Sequence, residues 1–175
     1  MRPWTRGIWV VVGGWLISCA AGCGFTPPRY WGEVAEDLSN VRGVYENVDY
    51  YGEVEVLWDA VAPQSRYVHW TLPDDCVSLE PDGEEIRFSL WREGEVLDEV
   101  RRRYVRWARC VELPKYTAAE GASPFGTKRD QQAWLSIDDV GDLAVRLSRH
   151  RYNLLDNDGG GAFEMTYVRV GEPPP

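Results

Sequence analysis

Histidine is scarce in this chain of 175 residues: only His69 and His150 occur. Cysteine is limited to four residues and methionine to two. The chain contains no Gly-x-Ser-x-Gly elbow, no His-Glu-x-x-His pair and no glycine loop leading into Lys-Ser or Lys-Thr. Those gaps remove the sequence signatures of serine hydrolases, zinc proteases and phosphate-cradling nucleotide enzymes. Neither histidine adjoins a cysteine, so a zinc site lacks its usual donor spacing. No apolar run reaches the ~20 residues of a membrane-spanning helix. No repeat of fixed period appears, which excludes solenoids and propellers.

What is present is concentrated at the start. Arg2 and Arg6 precede an apolar run from Ile8 to Ile17, which ends in Ser18-Cys19-Ala20-Ala21-Gly22-Cys23. A charged start, a short apolar stretch and small residues at a cut site describe an export signal. The cysteine at that site resembles the lipobox of bacterial lipoproteins. Leu16-Ile17-Ser18-Cys19 and Ala20-Ala21-Gly22-Cys23 both fit the pattern. Cysteine arithmetic favours Cys23 over Cys19, because Cys76 and Cys110 then remain as one pair with no odd thiol. An ordinary secretory signal cut nearby is the plainer alternative.

The lipobox resemblance implies a diacylglyceryl cysteine with a further amide-linked chain, and two or more chains anchor a protein stably. No acidic residue follows either cysteine, so the resemblance points to the outer membrane, facing the periplasm, in a two-membrane host. The expected organisation is a signal over 1–22, a tether and short helix over 23–40, and one β domain over 41–172.

Beyond the signal, 17 basic residues face 28 acidic ones, a net charge of −11. Such a surface disfavours nucleic acid and tolerates basic partners. In an exported protein Cys76 and Cys110 are expected to form a disulfide, worth about 3–4 kcal/mol over such a loop. His69, between Val68 and Trp70, reads as a structural or surface residue, and His150 lies between two arginines. Asp156-Asn157-Asp158-Gly159-Gly160-Gly161 has a calcium-loop opening. Gly160 and Tyr167 stand where an EF-hand needs ligands, although Glu164 lies nearby. A hairpin turn is the simpler reading, so neither metal nor cofactor is expected. Arg101-Arg102-Arg103, with Arg106 and Arg109, reads as a solvated strand paired with acids.

The patterning is mostly of period two. Tyr30 to Ser39 suggests a short helix, with Trp31, Val34, Ala35 and Leu38 on one face. Strands are expected around Val54–Trp58 and over Tyr67–Leu72. A hairpin follows through Val77–Leu79 and Ile86–Leu90, turning at Pro81-Asp82-Gly83. Arg92 to Glu95 is a second turn. Val96 to Val111 carries both helical and strand signals; it is read as two strands, Val96–Tyr104 and Trp107–Leu113. Lys115 to Asp130 reads as a long mobile loop. Strands at Ala133–Ile137, Leu143–Leu147 and Phe163–Val170 complete the domain. The expectation is an all-β, small antiparallel barrel or sandwich of about seven or eight strands.

Gly43-Val44-Tyr45-Glu46-Asn47 resembles the Gly-x-Tyr-x-Asn opening of small lipocalin-like bacterial lipoproteins, and Cys110-Val111-Glu112-Leu113-Pro114 is similarly placed. The resemblance spans most of Val41 to Val170. It implies a lipid-anchored β-barrel and lends no catalytic residues. Tyr45 stands where lipocalins proper carry Trp.

Six tryptophans survive processing, and Trp58, Trp70, Trp91, Trp107 and Trp134 fall on expected strands. They are either core or the lining of a cavity for a small apolar ligand. The function expected is a non-catalytic envelope lipoprotein that binds such a ligand. Its alternative is an interaction module, or an inhibitor of a basic envelope enzyme.

Overall fold

The computed structural model describes residues 31–49, 55–120, 127–152 and 160–173. The signal, Cys19, Cys23 and most of the Asp156–Gly161 turn lie outside the described residues, as does Val54. Among the described residues the fold is all-β, with two five-stranded antiparallel sheets and one short helix.

The first sheet holds β1 (Gly43–Glu46), β2 (Cys76–Asp82), β3 (Glu85–Arg92), β4 (Glu95–Arg103) and β10 (Arg169–Gly171), in the order β10-β1-β2-β3-β4. The second holds β5 (Val105–Arg106), β6 (Val111–Glu120), β7 (Thr127–Ile137), β8 (Leu143–Tyr152) and β9 (Gly160–Tyr167), in sequential order. Only Tyr104 separates β4 from β5, and only Val168 separates β9 from β10. Each of these pairs is one extended stretch bent across a corner, passing from one sheet to the other. The result is eight stretches in up-and-down order, folded into two faces.

Strict alternation builds those faces. Val77 and Leu79, Ile86, Phe88 and Leu90, and Leu143, Val145 and Leu147 all point into one core. The β2–β3 and β3–β4 loops have two residues each, and Gly83 (φ 61°) and Gly94 (φ 83°) supply the left-handed backbone that such tight turns need. The hairpins fall where the sequence puts them.

Four expectations fail. The stretch around Trp58 is not a strand: α1 (Leu57–Val61) forms there, with all five residues buried. A short helix apolar nearly all round belongs inside a domain, so a period-two reading misfires. Tyr67–Leu72 is a run of turns, with His69 at φ 65°. Lys115–Asp130 is no long loop, because β6 runs to Glu120 and β7 starts at Thr127. Residues 31–39, the described part of the expected N-terminal helix, form no helix either. Asn40 braces this stretch instead, accepting from the Ala35 amide (2.9 Å) and donating to Glu33 O (2.8 Å).

Strand direction defines two ends. The proximal end carries the β2–β3, β5–β6 and β7–β8 turns and receives the N-terminal segment, where Gly32 N donates to Ile137 O (2.7 Å). Val34, Leu38 and Val41 join the core there. The distal end carries the β3–β4 turn and the link between β1 and β2. Within that link α1 enters the core from above, as a plug.

Candidate functional site

The plug is held by directional bonds. Asn47 accepts from Leu57 N (2.8 Å) through its backbone carbonyl and from Trp58 N (2.9 Å) through Oδ1, capping the helix from eleven residues away. Trp58 is fully buried, and its Nε1 donates to Ser65 Oγ (3.0 Å), which in turn donates to Asp98 (2.5 Å). From the second sheet, Gln131 Nε2 donates to Asp59 O (2.7 Å) and Ala60 O (3.0 Å). Arg149 pairs with Glu55, and the Tyr167 hydroxyl donates to Glu55 O (3.0 Å). Burial, and then the Glu55 charge, drive the Tyr167 phenol well above its ordinary range.

Arg102 was expected on a solvated strand. Alternation turns it inward, where it donates to Val61 O (3.0 Å) and to Pro114 O. Burial pushes its guanidinium down to about 10. Its neighbours face outward beside acids: Arg101 lies near Asp82 and Glu99, and Arg103 near Glu85.

Beside the plug, Asp59 is almost fully buried and accepts from His69 twice, through Nδ1 (2.8 Å) and through the backbone amide (3.1 and 3.2 Å). The amide bond secures the left-handed turn at His69, which is uncommon for a non-glycine residue. A buried carboxylate orienting an imidazole is half of a nucleophilic relay. Among the described residues no serine, threonine or cysteine is hydrogen-bonded to His69, so the other half is not assembled. A cleft opens alongside, lined by Asp59, Pro63, Val68, Tyr116, Arg129 and Gln131. Its cavity volume is about 50 Å³, far below the ~300–1,000 Å³ usual for ligand sites.

The five tryptophans do not converge. Trp58 fills the plug. Trp70 is 76% exposed at the distal end, and Trp107 is 55% exposed at the proximal end, its Nε1 donating to Glu112 (2.9 Å). Trp91 lies on the outer face of the first sheet, donating to Ser78 Oγ (2.9 Å). Trp134 covers the outer face of the second, with Trp31, Cys110 and Ala144. They line no common cavity, because strand alternation sends Trp91 and Trp134 outward on opposite sides.

The two cysteines expected to pair sit in different places. Cys76 and Cys110 are free thiols. Cys76 shares the outward face of β2 with Ser78, while Cys110 packs outside the second sheet. Burial pushes the Cys110 thiol up to about 11, helped by Glu112, and raises Cys76, helped by Glu46. Both therefore hold their protons and react slowly. Among the described residues no three histidine, cysteine or carboxylate side chains are grouped to hold a metal ion.

The distal surface has a second feature. Trp70 and Leu72 are exposed on the loop after the plug. Arg92 ties that loop to the β3–β4 turn through Asp75 (2.7 and 2.9 Å) and Trp70 O (3.4 Å). Asp74, Glu93 and Glu95 stand exposed around them. Sequence reasoning missed Asp59, Arg102 and Gln131, whose roles depend on which way a side chain points. Comparisons with protein-family models, with characterised proteins and with solved structures find no match.

Proposed function

We propose that the chain is a lipid-anchored envelope lipoprotein with a non-catalytic role, whose distal face engages a basic protein. The plug is the observation that carries this reading. A barrel that holds a small apolar ligand needs an open interior. Here Trp58, Leu57, Val61, Tyr45, Phe88 and Tyr167 occupy that space with essentially no exposure. This favours the interaction reading over the carrier reading.

The signal-like N terminus supports anchoring through Cys23 after removal of residues 1–22, or through Cys19 after removal of residues 1–18. With Cys76 and Cys110 unpaired, the cysteine arithmetic no longer separates those two candidates. In a two-membrane host, the lack of an acidic residue after either cysteine supports residence on the outer membrane, facing the periplasm. The partner's chemistry is suggested by the distal surface: the exposed Trp70, on the end that also carries the exposed Asp74, Glu93 and Glu95, suits a cationic surface with an apolar cleft.

The test is calorimetric binding to a basic peptidoglycan hydrolase of the lysozyme type, with wild type, Trp70→Ala and Glu95→Lys. Binding should weaken roughly tenfold on Trp70→Ala and become less salt-sensitive on Glu95→Lys. Equal affinity for all three proteins would sink the reading. So would a native mass spectrum showing an apolar small molecule that leaves on denaturation, which would restore the carrier.

A further inference from the structure

We infer that the proximal end of the domain is a membrane-contact surface, seated on the phospholipid bilayer through Trp107 and Val140; this rests on the lipid-anchor reading. Val140 is the most exposed large apolar residue in the described structure, at 77%, and Trp107 is 55% exposed. They sit on neighbouring turns, β7–β8 and β5–β6.

The N-terminal segment enters between those same two turns. Ser136 Oγ donates to Arg109 O (2.6 Å) and lies 3.4 Å from Gly32 O, while Gly32 N bonds Ile137 O. Trp31 packs on Cys110. The chain that leads back to the lipid therefore leaves the domain beside Trp107 and Val140.

The exit point of the N-terminal segment points the proximal end at the bilayer. Seven residues, 24 to 30, separate Cys23 from Trp31. Fully extended they span at most ~28 Å. β7 alone has 11 residues, or ~36 Å of strand at the usual rise. From Cys23 such a tether is shorter than β7, while from Cys19 its eleven residues reach ~42 Å; in both cases it leaves the domain beside Gly32 and Trp31, which places the proximal end toward the lipid.

The local chemistry suits an interface. Val105, Arg106, Trp107, Ala108 and Arg109 are all exposed; the Arg106 guanidinium donates to Val34 O (3.2 Å), and Arg109 is the second cation of this turn. Trp favours the headgroup level, and Arg pairs with phosphate there. The Asp138 carboxylate is occupied within its own turn, accepting from the amides of Val140 (3.0 Å), Gly141 (2.9 Å) and Asp142 (2.9 Å). Asp139 is the one fully exposed acid on these two turns.

The test places a fluorophore at Val140→Cys or, for contrast, at Val96→Cys on the distal half, both in a Cys76→Ser background. The full chain is expressed, recovered from membranes and reconstituted in phosphatidylethanolamine vesicles with brominated acyl chains. The probe at 140 should lose roughly half its emission and the probe at 96 almost none, with Trp107→Asp reducing the loss at 140. Equal quenching at 140 and 96 in membrane-bound, acylated protein would overturn the seat and leave the anchor standing. A chain recovered in the aqueous fraction without acyl mass would remove the anchor reading, and the seat with it.

Discussion

The two ends of the domain are closed by different physics. At the proximal end residues 31–41 lay Val34, Leu38 and Val41 onto the core, with a few backbone bonds to fix their path. At the distal end the α1 plug is located by Asn47, Gln131, Arg102, Tyr167 and the Glu55–Arg149 pair, each reaching a particular carbonyl, amide or carboxylate. Apolar closure asks only that volume be filled, and it tolerates small shifts. A hydrogen-bonded closure fixes one position, because a displaced helix leaves buried polar groups unpaired at ~1–3 kcal/mol each. The distal end is therefore the more sharply defined, and its exposed loop rests on that definition.

The largest effect should come from breaking the plug. Trp58→Ala removes a fully buried indole and its bond to Ser65, and should lower unfolding stability by about 4 kcal/mol. Leu38→Ala at the proximal end should cost about 3 kcal/mol. Urea titrations of both variants give the comparison directly. A smaller loss at Trp58 than at Leu38 would mean that the plug is not the stronger closure.

A middle-sized effect is expected where the two closures meet the same strand. Gly43 lies under the Tyr45 ring: a Cβ there would stand 2.9 Å from Arg169 Nε and 3.1 Å from Tyr45 Cζ and Oη. Tyr45 cannot retreat, since it is fully buried and its hydroxyl donates to Val41 O (2.9 Å). Gly43→Ala should therefore cost about 2 kcal/mol by overpacking, read as a drop in melting temperature. An unchanged melting temperature would show that the Arg169 side chain yields freely.

The Gly-x-Tyr-x-Asn opening shows how much of this was legible. Its three residues are structural: Gly43 makes room, Tyr45 fills the core and Asn47 caps the plug. The motif is visible in sequence, but its partners are not, because the Asn47 bonds reach Leu57 and Trp58 across the link. The hairpins from Val77 to Leu97 were readable, since alternation and two-residue turns are local signals. The plug was not, because five residues are too few to show helical period and Val56 and Trp58 mimic a strand. Among the site residues, Trp91 and Trp134 were placed on strands correctly, and only the outward sense of those strands was missing. Arg102 was hidden among five arginines whose sequence pattern gives no sign of which one turns inward.

The smallest effect concerns the strap that holds the distal loop. Burial raises the Asp75 carboxyl, but the Arg92 guanidinium and the Leu72 amide (2.7 Å) outweigh it and hold the group below its ordinary value. A carboxyl depressed in the folded state contributes stability that is fully present above its unfolded value of about 4 and is lost as pH falls through the folded value. Asp75→Asn should thus be less stable than wild type by about 1 kcal/mol at neutral pH. The gap should close as the pH drops below about 4, because wild type then loses the same charge. Chemical denaturation of both proteins between pH 7 and pH 3 reads it. A gap that persists into acid would assign the loss to packing at Asp75 rather than to its charge. It would also mean that Arg92 holds the Trp70 loop through the carbonyl alone.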